Sequence, residues 1–361
     1  MSLNYSPSLH PLRFTARNRR KLKVNVFSES GFLGLESQGG HTAFLDCAAL
    51  MATHPDLEVV INARTTCDVL HSHSWGPLFW AWGARRWAVR RVFTAHVVPE
   101  TAIGTFPCAE YAQPLVRAYV RRVCNFADLV IAVAPRAAQV LRELGVASPV
   151  AIVPNPIRAE RFVAKPMLRI AGRKLLRLSD DRLVVLGVGQ LQPRKGIADF
   201  AAVAAACPDA HFVWVGGRPF GLISANYFGM NDLVCRPPRN LTFAGMANLE
   251  DMPAIYNAAD VMLFPSFQEN CPYAPMEAAS CGRPVVFRDL VEYRSLYRSE
   301  YLKAGDLPEL TLVVRRLLDS ASERERWASA SHALSQGFRV ADFVDTLARI
   351  YDDQACAGMP H

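Results

Sequence analysis

Residues 266–282 read SFQENCPYAPMEAASCG, and two carboxylates, Glu269 and Glu277, stand there with seven residues between them. Just before lies an apolar run, Val261 to Phe264, closed by Pro265; it reads as a buried strand. Just after, Ala274 to Ser280 holds good helix formers, and Gly282 stands where a helix would stop. Glu269 is therefore expected in a strand-to-helix turn and Glu277 inside the helix. Eight residues of helix at about 1.5 Å each span roughly 12 Å. That suits contacts at two ends of one extended ligand better than an acid/base pair on one atom. Amides at the helix start, around Asn270 and Cys271, suit an anion. Taken alone, the pattern also fits a loop glutamate and a solvated helix glutamate.

Upstream, residues 187–196 read GVGQLQPRKG. An apolar run precedes them, and Arg194 and Lys195 form an adjacent basic pair. A strand, a glycine-bearing turn and cations ahead of a helix is an α/β way of holding phosphate. Together the two stretches resemble the retaining glycosyltransferases of family four. That family carries a G-R-x-x-x-x-K-G element and, later, E-x7-E running into E-A-x-A-x-G-x-P-V; here the second reads Glu277-Ala278-Ala279-Ser280-Cys281-Gly282-Arg283-Pro284-Val285. The resemblance implies an α/β, GT-B fold: two Rossmann-like doubly wound domains facing across a cleft. Residues 1–160 would form the acceptor-side domain and 161–337 the nucleotide-sugar domain. Residues 338–361 would be a helix returning to the first.

Composition agrees with two domains. The chain has 361 residues, 51% hydrophobic and 20% charged, enough for real cores. No apolar run approaches the roughly 18 residues of a membrane span. The first 23 residues are basic without a following apolar stretch, so no secretory signal is expected. Nine scattered cysteines without C-x-x-C read as a reduced, cytoplasmic chain with no zinc site. Charge is uneven: residues 1–165 hold 19 Lys/Arg against 11 Asp/Glu, and residues 166–361 hold 21 against 22. The first half is therefore the basic one and could face an anionic lipid surface. No nucleic-acid signature accompanies it, so nucleic acid is not an expected partner.

Along the first half, Lys23–Phe27 reads as a strand. Gly39-Gly40 opens a helix to Met51, where glycine lets backbone approach a ligand. Residues 67–77 contain DVLHSHSWGP, with His71 and His73 on alternating strand positions; they are expected in the core rather than on a metal. Residues 79–92, FWAWGARRWAVRRV, read as a helix. Its Trp80, Trp82 and Trp87 with Arg85, Arg86, Arg90 and Arg91 suit a membrane headgroup layer, or simply a surface helix packed on a sheet. Arg117, Arg121 and Arg122 form a second basic helix. Residues 157–182 read as a charged linker, and strands and helices alternate beyond them.

The resemblance assigns roles. His96, after the strand Arg91–Ala95, would reach the transferred sugar. Gly39 and Gly40 would lie at the donor phosphates with Arg194 and Lys195. Gly245-Met246 would meet the nucleobase, Glu277 the ribose and Glu269 the sugar. No metal and no other cofactor is implied; the co-substrate is a UDP-sugar. Two departures stand out: Gln190 replaces the family arginine, and Glu269-Asn270-Cys271-Pro272 replaces E-G-F-G. Within the family the chain is most similar to bacterial 1,2-diacylglycerol 3-glucosyltransferases, through TAHVVPET at 94–101 and PRKGIADF at 193–200. That implies glucose transfer to a lipid acceptor at the cytoplasmic membrane face, by a peripherally bound enzyme. Other acceptors, a UDP-sugar epimerase or a non-catalytic protein of this fold remain open readings.

Overall fold

A computed structural model describes residues 20–31, 39–84, 87–103, 105, 109–218 and 225–357. Two six-stranded parallel sheets organise them. The first contains β1 (Leu22–Phe27), β2 (Leu57–Ile61), β3 (Cys67–Ser72), β4 (Ala88–Ala95), β5 (Leu129–Ala132) and β6 (Val150–Ile152), in spatial order β2-β1-β3-β4-β5-β6. The second contains β7 (Val184–Val188), β8 (His211–Val215), β9 (Leu241–Gly245), β10 (Val261–Phe264), β11 (Val285–Arg288) and β12 (Leu302–Ala304), in order β12-β11-β10-β7-β8-β9.

Helices α1 (Gly39–Met51), α2 (Pro77–Ala84), α3 (Ala109–Phe126) and α4 (Pro135–Glu143) cover the first sheet. With the second sheet run α5 (Pro166–Leu175), α6 (Ile197–Ala206), α7 (Tyr227–Cys235), α8 (Met252–Ala258), α9 (Tyr273–Ser280), α10 (Val291–Leu296), α11 (Leu307–Asp319) and α12 (Ala321–Ser335). The last helix, α13 (Val340–Ala357), packs on α1 and on β3 and β4 of the first sheet. There Leu347 and Tyr351 are buried among Val24, Val26, Val69 and Ile131. The central strands are buried on both faces, as parallel strands covered by helices must be: all four residues of β10 and of β11 are buried.

Two elements differ from expectation. Residues 79–92 are not one helix: α2 ends at Ala84 and β4 begins at Ala88. The alternation of Arg90, Val92 and Thr94 on one face with Arg91, Phe93 and Ala95 on the other serves a strand entering the sheet. Residues 157–182 are not a plain linker, because α5 lies within them. It packs against α8, where Gly172 is pressed on Ala254 O and leaves no room for a Cβ. Its Arg173, 3% exposed, donates to Ala258 O and Asp260.

Both sheets place their topological reversals side by side. Chain order reverses between β1 and β3 in one sheet and between β7 and β10 in the other. Loops leaving the carboxyl ends of such neighbours diverge, opening a crevice where α/β proteins bind ligands.

Candidate active site

Lys195 follows β7 and Glu269 follows β10; these strands are hydrogen-bonded neighbours, so residues 74 apart in sequence meet. Lys195 Nζ donates to Glu269 Oε1, and Arg194 Nη1 lies 3.7 Å from the same oxygen. Gly196 makes the approach possible. Its φ is +71°, and a Cβ there would stand 2.2 Å from Pro265 O. Phe267 N also donates to Arg194 O at 2.8 Å.

Burial pushes the Glu269 carboxyl upward, but the charges of Lys195 and Arg194 outweigh it, so the carboxyl stays below its ordinary range. Burial pulls the Lys195 ammonium down to about 8, opposed by Glu269 and aided by Arg194. Two cations against one carboxylate leave one net positive charge in a nearly dry site, where it acts strongly on an incoming anion. Arg194 is less available than its sequence position implies, because it also donates to Thr105 Oγ1 at 3.0 Å and to Gln268 O at 3.3 Å.

Glu277 faces elsewhere. It lines a cavity of about 440 Å³ bounded by α1, by residues 156–162 and by Leu249 and Met252. Tyr256 Oη donates to it at 2.6 Å. Burial lifts its carboxyl to about 7, with Asp46 adding to the rise and Arg161 opposing it. Glu269, in the loop before α9, and Glu277, within α9, thus stand in different environments.

The first domain supplies the opposite wall. β3 and β4 are neighbours, so the residues after them meet: His73 Nδ1 and His96 Nε2 are 2.9 Å apart, with their rings stacked. Burial holds both rings neutral, His96 down to about 4 and His73 well below its ordinary value. His71 lies deeper, bonded to Tyr351 Oη at 2.6 Å and to Thr94 Oγ1 at 2.7 Å. Cys47, His71 and His73 bring potential metal-ligand atoms within 4.8 Å of one another. Both nitrogens of His71 are engaged, however, and burial pushes the Cys47 thiol up to about 12. His73 Nε2 and Tyr273 Oη are buried without a protein partner, and both residues line a cavity of about 10 Å³ beside His96.

The other expected donor contacts lie on the cleft rims. Gly39 and Gly40 begin α1 with open space where a side chain would be. Gly245 has φ +76° and likewise faces open space, and Met246 is 67% exposed beside Gly217. Asn270 and Cys271 bind the first domain: Asn270 Nδ2 donates to His96 O, and Cys271 O accepts from Asn155 Nδ2, each at 2.8 Å. Pro272 caps α9 without an N–H of its own. Asn155, His73, Tyr273 and Thr105 were not singled out from the sequence as site residues. The proline-bearing Asn155-Pro156 and the H-x-H spacing were the available signals for two of them.

The proposed membrane side chains divide. Trp82 is a correction: it is 7% exposed and packs on Phe27 at 4.6 Å and on Trp87 at 5.6 Å, so it cannot face a membrane as placed. Arg91 is committed to Asp128 through Nε and Nη2 and lies over Phe126. Arg90 lies 3.9 Å from the same carboxylate. Trp80 is partly buried beside Tyr119 and Arg122. Arg85 and Arg86 fall outside the described residues. The accessible apolar stripe instead runs along α3, where Tyr111 is 81% and Leu115 77% exposed.

Comparison with known proteins fits this geometry. The model of Glycosyltransferase Family 4 matches residues 40–161, and that of Glycosyl transferases group 1 matches residues 182–320. The chain is 27% identical over 345 residues to alpha-galactosylglucosyldiacylglycerol synthase of Streptococcus pneumoniae, covering 94% of this chain and 92% of that one. It is 28% identical to a processive diacylglycerol alpha-glucosyltransferase of Acholeplasma laidlawii, covering 53% of this chain and 58% of that one. Mycobacterial D-inositol 3-phosphate glycosyltransferases are also similar. Anabaena HepE, solved in complex with UDP-glucose, superposes with a TM-score of 0.74 at 18% identity, over 92% of this chain and all of that one. Matched family models over both sheets, on a GT-B architecture, show a glycosyltransferase that carries the Glycosyltransferase Family 4 domain over residues 40–161 and the Glycosyl transferases group 1 domain over residues 182–320.

Proposed function

We propose that this protein is a retaining hexosyltransferase that moves glucose from a UDP-sugar to a diacylglycerol-type lipid at an anionic membrane surface, on the cytoplasmic face. The observation that carries the donor half is the buried Lys195–Glu269 pair with Arg194. Cleaving the anomeric C–O bond leaves charge on the departing phosphate while the ring becomes cationic. The net positive charge at Lys195 and Arg194 meets the first demand. Glu269 and His96 offer partners for sugar hydroxyls, and Glu277 offers a carboxylate to the ribose. No residue is assigned as a covalent nucleophile; the acceptor hydroxyl attacks the face that the phosphate leaves. The UDP donor is supported by the HepE complex, and the lipid acceptor by the two diacylglycerol-related enzymes.

The membrane half rests on α3. Tyr111, Leu115, Ala118 and Arg122 follow helical spacing on one exposed face, with Arg121 beside them. Among the described residues no helix is long and apolar enough to cross a membrane. Apolar side chains rimmed by arginine suit the headgroup boundary of an anionic bilayer.

The direct test is incubation of UDP-glucose with anionic vesicles containing diacylglycerol, read by mass of the lipid product. A hexosyl-diacylglycerol supports the whole reading, and its anomeric proton coupling tests retention. UDP release into water without lipid product would keep the transferase and move the acceptor elsewhere, with inositol phosphates next because of the mycobacterial relatives. Absence of UDP-glucose binding would overturn the donor.

A further inference from the structure

Glu269 and His96 belong to opposite domains, and among the described residues each side chain bonds within its own domain, Glu269 to Lys195 and His96 to His73. What relates them is backbone. Asn270, next to Glu269, reaches across the cleft with Nδ2 to His96 O at 2.8 Å. Asn155, at the end of the first sheet, reaches back with Nδ2 to Cys271 O at 2.8 Å. The two bonds run in opposite directions and hold consecutive residues, 270 and 271, against the first domain. Both ends of the second bond lie beside a proline: Asn155 precedes Pro156 and Cys271 precedes Pro272. Proline fixes its own φ and biases the residue before it toward extended backbone, so the four-residue turn from Glu269 has little slack. His96 is held twice, its carbonyl by Asn270 and its ring by His73.

We propose that Asn155 and Asn270 form a reciprocal clamp across the cleft that fixes the spacing of His96 and Glu269. This rests on the reading of those two as the sugar-contacting pair. The asparagines are positioning residues, not catalytic ones. They also account for the departure from E-G-F-G: a glycine at position 270 has no side chain to cross the cleft. Donor contacts at Lys195 and Glu277 belong to the second domain, and Arg194 has its own tie to the first through Thr105 Oγ1 at 3.0 Å, so these contacts do not depend on the clamp. Loss of the clamp therefore acts on the reacting geometry rather than on donor binding. Displacing reacting groups by about 1 Å costs on the order of 100-fold in rate.

The test uses isosteric changes. Asn155→Leu and Asn270→Leu keep the branched shape and remove the donating amide without adding a charge beside Glu269. Each is expected to lower kcat for hexosyl transfer by about 10- to 100-fold. The UDP-glucose KM is expected to stay within about threefold, because no ground-state contact is removed. The share of donor lost to water should rise as the cleft loosens. Unchanged kcat in both variants overturns the clamp. So does a raised KM at unchanged kcat, which would make the asparagines donor ligands. If the wild-type chain forms no lipid product, the acceptor reading fails there, and UDP release into water carries the same comparison. Scattering from the free chain needs no substrate: N155L/N270L should have a larger radius of gyration than wild type, and an equal one overturns the clamp.

Discussion

Lys195 donates to Glu269 where the loops after β7 and β10 diverge, and both side chains are nearly withdrawn from water. A buried pair is poor value for stability, since desolvation offsets much of its attraction. Its worth lies in holding charge where a ligand arrives. Glu269→Gln keeps the shape and removes the charge. Hexosyl transfer is expected to fall by at least about 100-fold, the scale of losing one electrostatic group in a dry site. Product mass against time measures this, with gel filtration to show a folded chain. Full activity would take Glu269 out of the site.

Much of this centre was legible in sequence, because its parts sit on single strand-to-helix turns. Glu277 lies inside α9, eight residues after Glu269, while Lys195 and Glu269 each follow an apolar run that ends abruptly. Their meeting follows from one topological fact, that β7 and β10 are neighbours. The cross-cleft bonds were not legible: Asn270 and His96 are 174 residues apart, and Asn155 and Cys271 are 116 apart. No local period encodes such pairs. Helix α5 was missed because its pattern is inverted, with Met167 and Ile170 exposed and Arg173 buried. The stretch 79–92 misled because Trp and Arg suit an amphipathic helix, whereas its second half is a strand whose arginines serve Asp128.

The free enzyme should show a bell-shaped kcat/KM profile. Glu277 titrates near 7 and Lys195 near 8. A ribose-binding carboxylate must be ionised and a phosphate-binding lysine protonated, so activity rises through the first value and falls through the second. Glu277→Gln should lower kcat/KM and abolish the acid limb while leaving the alkaline one. An acid limb that persists in that variant would assign it to another group.

Glu277 also predicts how stability varies with pH. Its folded value lies above the ordinary 4.5, so between about 4.5 and 7 the folded chain binds more protons than the unfolded one. Its contribution is fully present below the unfolded value and is lost as pH rises through the folded one. The change is on the order of 3 kcal/mol for a shift of this size. Urea midpoints at pH 5 and pH 8 measure it. Glu277→Gln should narrow the difference between them; an equal difference in both proteins would mean that the carboxyl is not shifted.

Arg173 gives a prediction for the fold alone. Its guanidinium is buried between Ala258 O, Ser179 O and Asp260, and Asp260 also accepts from Val184 N at 2.8 Å. Arg173→Met removes one partner and leaves Asp260 with Arg169 at the rim. Breaking such a pair costs about 3–5 kcal/mol, visible as a lowered urea midpoint with unchanged slope. An unchanged midpoint would show Arg169 sufficient.

Membrane binding separates the two candidate surfaces. Tyr111 and Leu115 on α3 are exposed, and burying such a side chain contributes roughly 1.5–3 kcal/mol. Tyr111→Ser with Leu115→Ser should weaken binding to anionic vesicles by at least about 100-fold on that scale. Arg121→Glu with Arg122→Glu should remove its salt dependence, each arginine near the surface contributing about 1 kcal/mol. Changes at β4 act differently. Arg91→Glu breaks the paired bonds to Asp128, so it should lower the melting temperature while vesicle affinity of the folded fraction changes little. Cosedimentation beside thermal unfolding reads both variants. Lost binding in the β4 variant with intact binding in the α3 variants would return the membrane face to the tryptophan stretch, with Arg85 and Arg86 as its remaining cations.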